Sequence, residues 1–223
     1  MRGSTKVVAT DAELMTGRVD RSPAVALGID VGGTKVALGL VDAAGRVMET
    51  SRIKNRTADS ADGLLKRVTD EARRLARTAG SDEVAAVGVG LCELIDLQGQ
   101  VRSSASVPWS RQQILDALSP IGPVVVEADV RAAALAEARF GAGQDYDSFA
   151  FVTVGTGISS CLVLGGVPYA GSHGTAQLLG SGPITMTCPD CGVRRRVSLE
   201  NLAAGPALVE QFERQTGVNA ERA

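Results

Sequence analysis

Aromatic residues are scarce in this sequence, with four Phe, two Tyr and one Trp among 223 residues. Proteins that bind single-stranded nucleic acid stack bases on aromatic side chains, so the shortage argues against such a surface. The formal net charge is only −2, which gives no general attraction to nucleic acid or to anionic membranes. The one basic run, Arg194-Arg195-Arg196, is predicted to be a solvated loop.

Long apolar runs and a disulfide framework are also missing. No apolar stretch reaches the length of a membrane span, and residues 1–23 lack the apolar core of a signal peptide. Of the four cysteines, only Cys188 and Cys191 have a recognisable spacing. We therefore predict a cytoplasmic protein that binds neither membranes nor nucleic acid, with a disordered leader over residues 1–23.

The stretch GIDVGGTK, residues 28–35, fits neither common phosphate-loop pattern. The dinucleotide fingerprint needs a third glycine that opens a helix, and the Walker loop needs four residues between its glycines. Here Val36, Leu38 and Leu40 follow in alternation, which predicts a returning strand. The motif is thus a tight turn between strands, with Asp30 just before it. Taken alone, an ordinary glycine hairpin explains it equally well.

The same arrangement occurs a second time, where the predicted strands Ser148–Val154 and Ile158–Leu164 are joined by Gly155-Thr156-Gly157. This repeat predicts two α/β lobes around a cleft, an N-terminal lobe over residues 24–140 and a C-terminal lobe over residues 141–223. Such turns present backbone N–H groups to an anion without side-chain obstruction. Asp30 could hold Mg²⁺, mostly through water, with the metal bridging to phosphate.

Four stretches in order, GIDVGGTK, GVGLCELID, VVVEADVRAAALAEARFGAG and VTVGTGISS, resemble the ROK family of sugar kinases and repressors in the actin/hexokinase-like ATPase superfamily. The resemblance runs from about residue 24 to residue 210. It implies a two-lobed α/β, ribonuclease H-like/actin-like ATPase fold with an incomplete second lobe, and ATP with Mg²⁺ as cofactors. It also implies a phosphate site formed by Asp30, Gly32, Gly33, Thr34, Lys35, Gly155, Thr156 and Gly157.

Two acidic residues match the family's reactive positions. The resemblance assigns Asp129, in VEADVRAAALAE, to the catalytic base that also contacts the substrate. Read alone, Asp129 could simply cap the helix that follows it. Glu200, in SLENLAAG, matches a sugar-contacting glutamate of the family.

Several other family positions are altered in this sequence. Ala128 replaces the sugar-binding Asn, Cys92-Glu93 replaces a Pro-Gly pair, and Leu178 and Ser181 stand where the family has a Glu and a His. The CPDCG loop keeps two cysteines, but Ser198 replaces a third. Because a structural zinc needs four ligands, we expect no zinc and no other resident metal site. His173, the only histidine, is predicted to be a loop residue.

The leading hypothesis is ATP-dependent phosphotransfer to a hydroxyl of a sugar or sugar-like polyol, such as a hexose, amino sugar or cyclitol. The alternative is a non-catalytic, ROK-like protein that binds ligands or regulates. A DNA-binding repressor is disfavoured, because a leader of 23 residues is too short for a helix-turn-helix. The sequence leaves the oligomeric state open, a homodimer included.

Overall fold

The computed structural model describes residues 25–55, 60–79, 84–176, 180, 182–188 and 191–219. The predicted leader and the altered positions Leu178 and Ser181 lie outside these residues. The chain divides into two compact units, one of residues 1–132 and 173–175, the other of residues 133–172 and 176–223. The lobe boundaries inferred from the sequence stay a prediction. Within the described residues, no helix is both long and apolar enough to cross a bilayer.

The first unit is built on a five-stranded sheet with the order β3-β2-β1-β4-β5. The strands are β1 (Ala26–Val31), β2 (Lys35–Val41), β3 (Val47–Lys54), β4 (Ala86–Leu91) and β5 (Val124–Ala128). The first three form an antiparallel meander, as their turn sequences predict, whereas β4 and β5 run parallel to β1. Apolar side chains at alternate positions are fully buried, which explains the period-two pattern of these strands.

Two helices cover this sheet. Helix α1 (Ala61–Thr78) begins at Ser60, whose hydroxyl accepts a hydrogen bond from the amide of Gly63 at 3.1 Å. The stripe predicted from the sequence is buried as a set: Leu64, Leu65, Val68, Ala72 and Leu75. Helix α2 (Arg111–Leu118) opens with a capping box between Ser110 and Gln113.

Helix α3 (Asp129–Phe140) follows β5 without an intervening loop, and the division between the two units falls within it. The second unit contains the sheet β6-β7-β8, with β6 (Ser148–Val154), β7 (Ile158–Leu164) and β8 (Val167–Pro168). Strands β6 and β7 form the predicted hairpin, in register from Val154 and Ile158 outward. This unit ends with helices α4 (Glu200–Ala203) and α5 (Gly205–Thr216).

The sequence interpretation was wrong about the basic run. Arg194, Arg195 and Arg196 belong to strand β10 (Arg194–Ser198), which pairs with β9 (Pro183–Thr187) as a separate two-stranded sheet. All three arginine side chains are exposed, so the prediction of solvation holds while the prediction of a loop does not. Ile184 and Met186 alternate with threonines in β9, but the run of three arginines gives β10 no apolar alternation by which it could be recognised as a strand.

Candidate functional site

The carboxyl ends of three parallel strands meet at one edge of the first unit. Asp30 of β1 is in register with Gly90 of β4, and Gly90 is in register with Glu127 of β5. Helix α3 starts two residues beyond Glu127, which brings Asp129 to the same edge. Ligands of open α/β sheets bind at this end of the strands. The register therefore brings two of the predicted site residues together within a single unit.

Asp129 is a half-buried carboxylate in a negatively charged environment. Burial raises its pKa above the ordinary value, and the charges of Asp30 and Glu93 raise it further, while a hydrogen bond from the amide of Val130 opposes them. Gly90 lies beside it, since a methyl group placed on Gly90 would be 3.4 Å from the Asp129 Cα. A raised pKa in a strand-end cluster is typical of a group that takes up a proton.

The helix-cap interpretation of Asp129 finds little support in the structure. A capping side chain accepts a hydrogen bond from an amide two or three residues ahead. The Asp129 carboxylate instead accepts from the next residue, Val130, at 2.6 Å. No second hydrogen bond to this carboxylate occurs in the described part of the chain, so most of its accepting capacity is not used by the helix.

The first glycine turn connects β1 to β2 next to Asp30. The amide of Gly32 donates to the carbonyl of Lys35 at 3.0 Å, which closes the turn. Asn55 holds it from the end of β3, because its amide donates to the Thr34 carbonyl at 3.0 Å and its side chain to the Gly32 carbonyl at 3.2 Å. Partial burial raises the pKa of Asp30, while the Lys35 ammonium lowers it.

The second glycine turn and Glu200 lie together in the second unit. The Gly155 amide donates to the Gly157 carbonyl at 2.9 Å, and the Gly155 carbonyl accepts from the Gly205 amide at 2.8 Å. Glu200 Oε1 accepts from the amide of Ile158 at 2.8 Å. The predicted substrate-binding glutamate therefore stabilises the turn, with its second oxygen making no hydrogen bond among the described residues.

Two of the turn glycines are not required by the fold. Neither Gly33 nor Gly155 has a positive φ. A methyl group on Gly155 would meet nothing within 4 Å, and one on Gly33 would meet only the Ser106 side chain, at 3.6 Å or more. At Gly157, by contrast, a methyl group would lie 2.6 Å from Glu200 Oε1. Glycine at Gly33 and Gly155 thus leaves the backbone open to an approaching molecule.

The sequence interpretation missed one buried acid next to this site. It noted Glu93 only as an altered family position, yet its side chain is 3% exposed and anchors the loop at residues 103–107. Asn55 was also missed. Both act across long sequence separations, and no local pattern marks either.

The remaining sequence predictions concern metal. His173 lies in an exposed turn, as expected of a loop residue, and Cys188 and Cys191 lie in the link between β9 and β10. Among the described residues no group of three or more His, Cys, Asp or Glu side chains is arranged to hold a metal ion. The absence of zinc stays a prediction, as does a phosphate site shared by the two turns.

The profile of the ROK family matches residues 26–222. The chain belongs to the ROK family. A glucokinase of Streptomyces coelicolor is 31% identical over 205 residues, covering 88% of this chain and 62% of that protein. A kanosamine kinase of Amycolatopsis mediterranei is 33% identical over 189 residues, covering 83% of this chain and 61% of that protein.

A solved ROK structure confirms the predicted fold class. It is a ROK family glucokinase from Streptomyces griseus in complex with glucose and AMPPNP, with 30% sequence identity and a TM-score of 0.72. The match covers 86% of this chain and 62% of that glucokinase. The two α/β units are thus those of a ROK protein, and the chain spans about three fifths of the length of these relatives.

Proposed function

We propose that this ROK protein transfers phosphate from ATP to a hydroxyl of a sugar or sugar-like polyol. The observation that carries the proposal is the position and environment of Asp129. A carboxylate with a raised pKa lies at the carboxyl ends of β1, β4 and β5, beside Asp30 and the first glycine turn. Kinase relatives at 31% and 33% identity support the same reaction class.

Asp129 is proposed as the general base. Phosphoryl transfer needs little covalent chemistry from the protein, but the attacking hydroxyl must lose its proton as the bond to phosphorus forms. A carboxylate takes that proton best when its pKa is shifted toward the working pH, and burial shifts Asp129 in that direction. Its single hydrogen bond to Val130 fixes one oxygen and leaves the other for the acceptor.

Asp30 fits a magnesium ion that is held mainly by water and phosphate. Its side chain is partly buried but reaches solvent, and no hydrogen bond to it is made within the described residues. Mg²⁺ commonly uses one or two carboxylates plus substrate phosphates and keeps several waters, so a single available carboxylate at an open edge suits it. A bound Mg²⁺ would neutralise charge on the transferred phosphoryl group. Asp30 would orient it, and Lys35 would balance the local charge.

The two glycine turns are proposed to bind the phosphates of ATP. Backbone N–H groups at such turns attract anions, and an open glycine allows a phosphate oxygen to reach them. Gly33 with Gly32, Thr34 and Lys35 supplies one turn, and Gly155-Thr156-Gly157 supplies the other. The openness of Gly33 and Gly155 supports this role, because the fold itself does not explain glycine at either position.

The acceptor is proposed to be a hexose, an amino sugar or a cyclitol, with Glu200 as a second contact. Its Oε1 is occupied by the Ile158 amide, so contact with a hydroxyl or amino group would use the other oxygen. Ala128 is 5% exposed and carries no polar group next to Asp129. Without an asparagine side chain at position 128, the site has fewer polar groups with which to reject unusual acceptors. The kinship with a kanosamine kinase is consistent with an amino sugar.

The alternative is a non-catalytic protein that binds a ligand or regulates. It is favoured by Ala128 and by the altered residues at positions 178 and 181. One experiment separates the two. Acceptor-dependent release of ADP from Mg·ATP is measured with glucose, glucosamine, kanosamine and myo-inositol, and binding of each compound is followed by calorimetry. The proposal predicts turnover with at least one acceptor, whereas binding of nucleotide and acceptor without turnover would support the alternative.

A further inference from the structure

Glu93 is a buried carboxylate whose oxygens are both fully engaged by one loop. One oxygen accepts from the amides of Ser106 and Val107, at 2.6 Å and 2.9 Å. The other accepts from the amide of Ala105 at 3.0 Å and from the hydroxyl of Ser103. Three consecutive amides and a hydroxyl thus converge on a single acid, as they would on a bound anion.

These hydrogen bonds dominate the ionisation of Glu93. Burial by itself would raise its pKa, but the hydrogen bonds from Ser103, Ser106, Val107 and Ala105 lower it below the ordinary value. The acid is therefore charged at neutral pH, and its bonds to the loop are charge-assisted. Hydrogen bonds to charged groups hold a segment more firmly than neutral ones do.

The loop that Glu93 fixes presents Ser106 to the candidate site. Ser106 is exposed, and its Oγ lies 3.6 Å from where a methyl group on Gly33 would stand. The same side chain hydrogen-bonds to Cys92. The pKa of the Cys92 thiol is raised mainly by burial and also by the negative charge of the nearby Asp129. Ser106 is thus close to the first glycine turn and is hydrogen-bonded to a residue that interacts with the proposed base.

We propose that Glu93 is a positioning residue, which fixes the loop of residues 103–107 so that the Ser106 hydroxyl contacts the acceptor beside Asp129. The inference rests on the proposed function. Glu93 itself has no capacity left for substrate, because four donors already occupy its two oxygens. It acts through Ser106, which carries an exposed hydroxyl with room for a further hydrogen bond.

The first test is the variant Glu93→Gln, which keeps the size of the side chain but not its symmetry. An amide can accept from only one pair of donors, and its NH₂ group would face the other pair. The loop should loosen, and the KM for the acceptor should rise roughly 3- to 10-fold, the value of one neutral hydrogen bond. The KM for Mg·ATP should change little, because the phosphate turns are untouched, and kcat should change little, because the Glu93 charge is the smallest of the influences on the pKa of Asp129.

Asp96→Asn provides a matched control. Asp96 is 8% exposed and also fixes a nearby turn, accepting from the amides of Gln98 and Gln100 at 2.9 Å and 2.8 Å. Its side chain also pairs with the exposed Arg102 at 2.6 Å, but it makes no hydrogen bond to residues 103–107 in the described part of the chain. The Asp96 variant should therefore lose stability without a change in the acceptor KM. Equal changes of KM in both variants would mean that general loosening, and not the placement of Ser106, is responsible.

A double-mutant cycle with Ser106→Ala tests whether Glu93 acts through the serine. If it does, Ser106→Ala alone should raise the acceptor KM by a similar factor, and adding Glu93→Gln should raise it little further. Independent, multiplying effects would overturn the inference, as would an unchanged KM in Glu93→Gln. Both outcomes leave the proposed function intact, since the parent protein would still turn over.

Hydrogen exchange supplies a readout that does not need turnover. In Glu93→Gln the amides of Ala105, Ser106 and Val107 should exchange faster than in the parent, and in Asp96→Asn they should not. Unchanged exchange would overturn the fixing of the loop by Glu93. A parent protein that shows neither turnover nor acceptor binding would instead overturn the proposed function, and with it the role of Ser106 toward the acceptor.

Discussion

The substitution Asp129→Asn examines the proposed base with little change of geometry. The carboxylate makes one hydrogen bond in the described chain, from the Val130 amide at 2.6 Å, and an asparagine oxygen can accept the same bond. What is lost is the capacity to take up a proton. General-base catalysis contributes about 10²–10⁴-fold to rate. That range corresponds to roughly 3–5 kcal/mol of transition-state stabilisation.

The same substitution should stabilise the folded protein. Because the pKa of Asp129 is raised above the ordinary 3.8, its ionised form is less favourable in the folded than in the unfolded state. The ionised carboxylate therefore subtracts stability at neutral pH, and a neutral asparagine removes this penalty. We expect a higher Tm for the variant at pH 7, with a gain that disappears as the pH falls below 3.8, where both states of the parent are protonated.

The two effects should appear together. Single-turnover phosphorylation with saturating Mg·ATP and the best acceptor should show the fall in rate, while calorimetry should show acceptor and nucleotide binding close to those of the parent. Thermal unfolding at pH 7 and at pH 3.5 measures the stability. Full activity in Asp129→Asn would refute the base mechanism, and a lower Tm at pH 7 would refute the desolvated carboxylate on which it rests.

Three further outcomes are expected. Gly155→Ala should weaken binding of Mg·ATP without loss of Tm, because a methyl group there meets no protein atom. Gly182→Ala, at an equally open position, is the control and should leave binding unchanged. If both variants bind Mg·ATP with the same affinity, the proposal that the second turn binds phosphate is contradicted. Purified protein should hold less than stoichiometric zinc by elemental analysis, and one tightly bound zinc per chain would show that ligands have been overlooked. Arg131→Met should lower the free energy of unfolding by about 3–5 kcal/mol in urea titrations, since it leaves the Glu127 carboxylate without its buried partner. A loss below 1 kcal/mol would show that water replaces this ion pair at little cost.

Much of the first unit could be predicted from local patterns. The alternation of Leu27, Ile29 and Val31 marks a strand with one buried face, and the structure buries these three side chains almost completely. The stripe of Leu64, Val68 and Leu75 predicted α1 for the same reason, since a helix brings residues at this spacing to one face. Strand β10 was not predicted, because its three consecutive arginines carry no such period, although Ile184 and Met186 alternate with threonines in its partner β9.

The sequence alone determined the chemical groups of the candidate site. Asp30, Asp129 and the two glycine turns each stand at the end of a strand, and the order of the motifs indicated the family that the match over residues 26–222 confirms. The role of each group was harder to predict from the sequence. Taken alone, Asp129 is favoured as a helix cap by its position, but among the described residues its carboxylate accepts a hydrogen bond only from the Val130 amide.

Only the tertiary structure decided which groups meet. Glu93 and Val107 are 14 residues apart, and Asn55 and Gly32 are 23 apart, so neither contact has a local signature. The parallel pairing of β1, β4 and β5 brings Asp30 and Asp129 to one edge although they are far apart along the chain. The pKa of each acid then depends on burial and on neighbouring charges, both of which exist only once the strands have paired and the loops have closed over them.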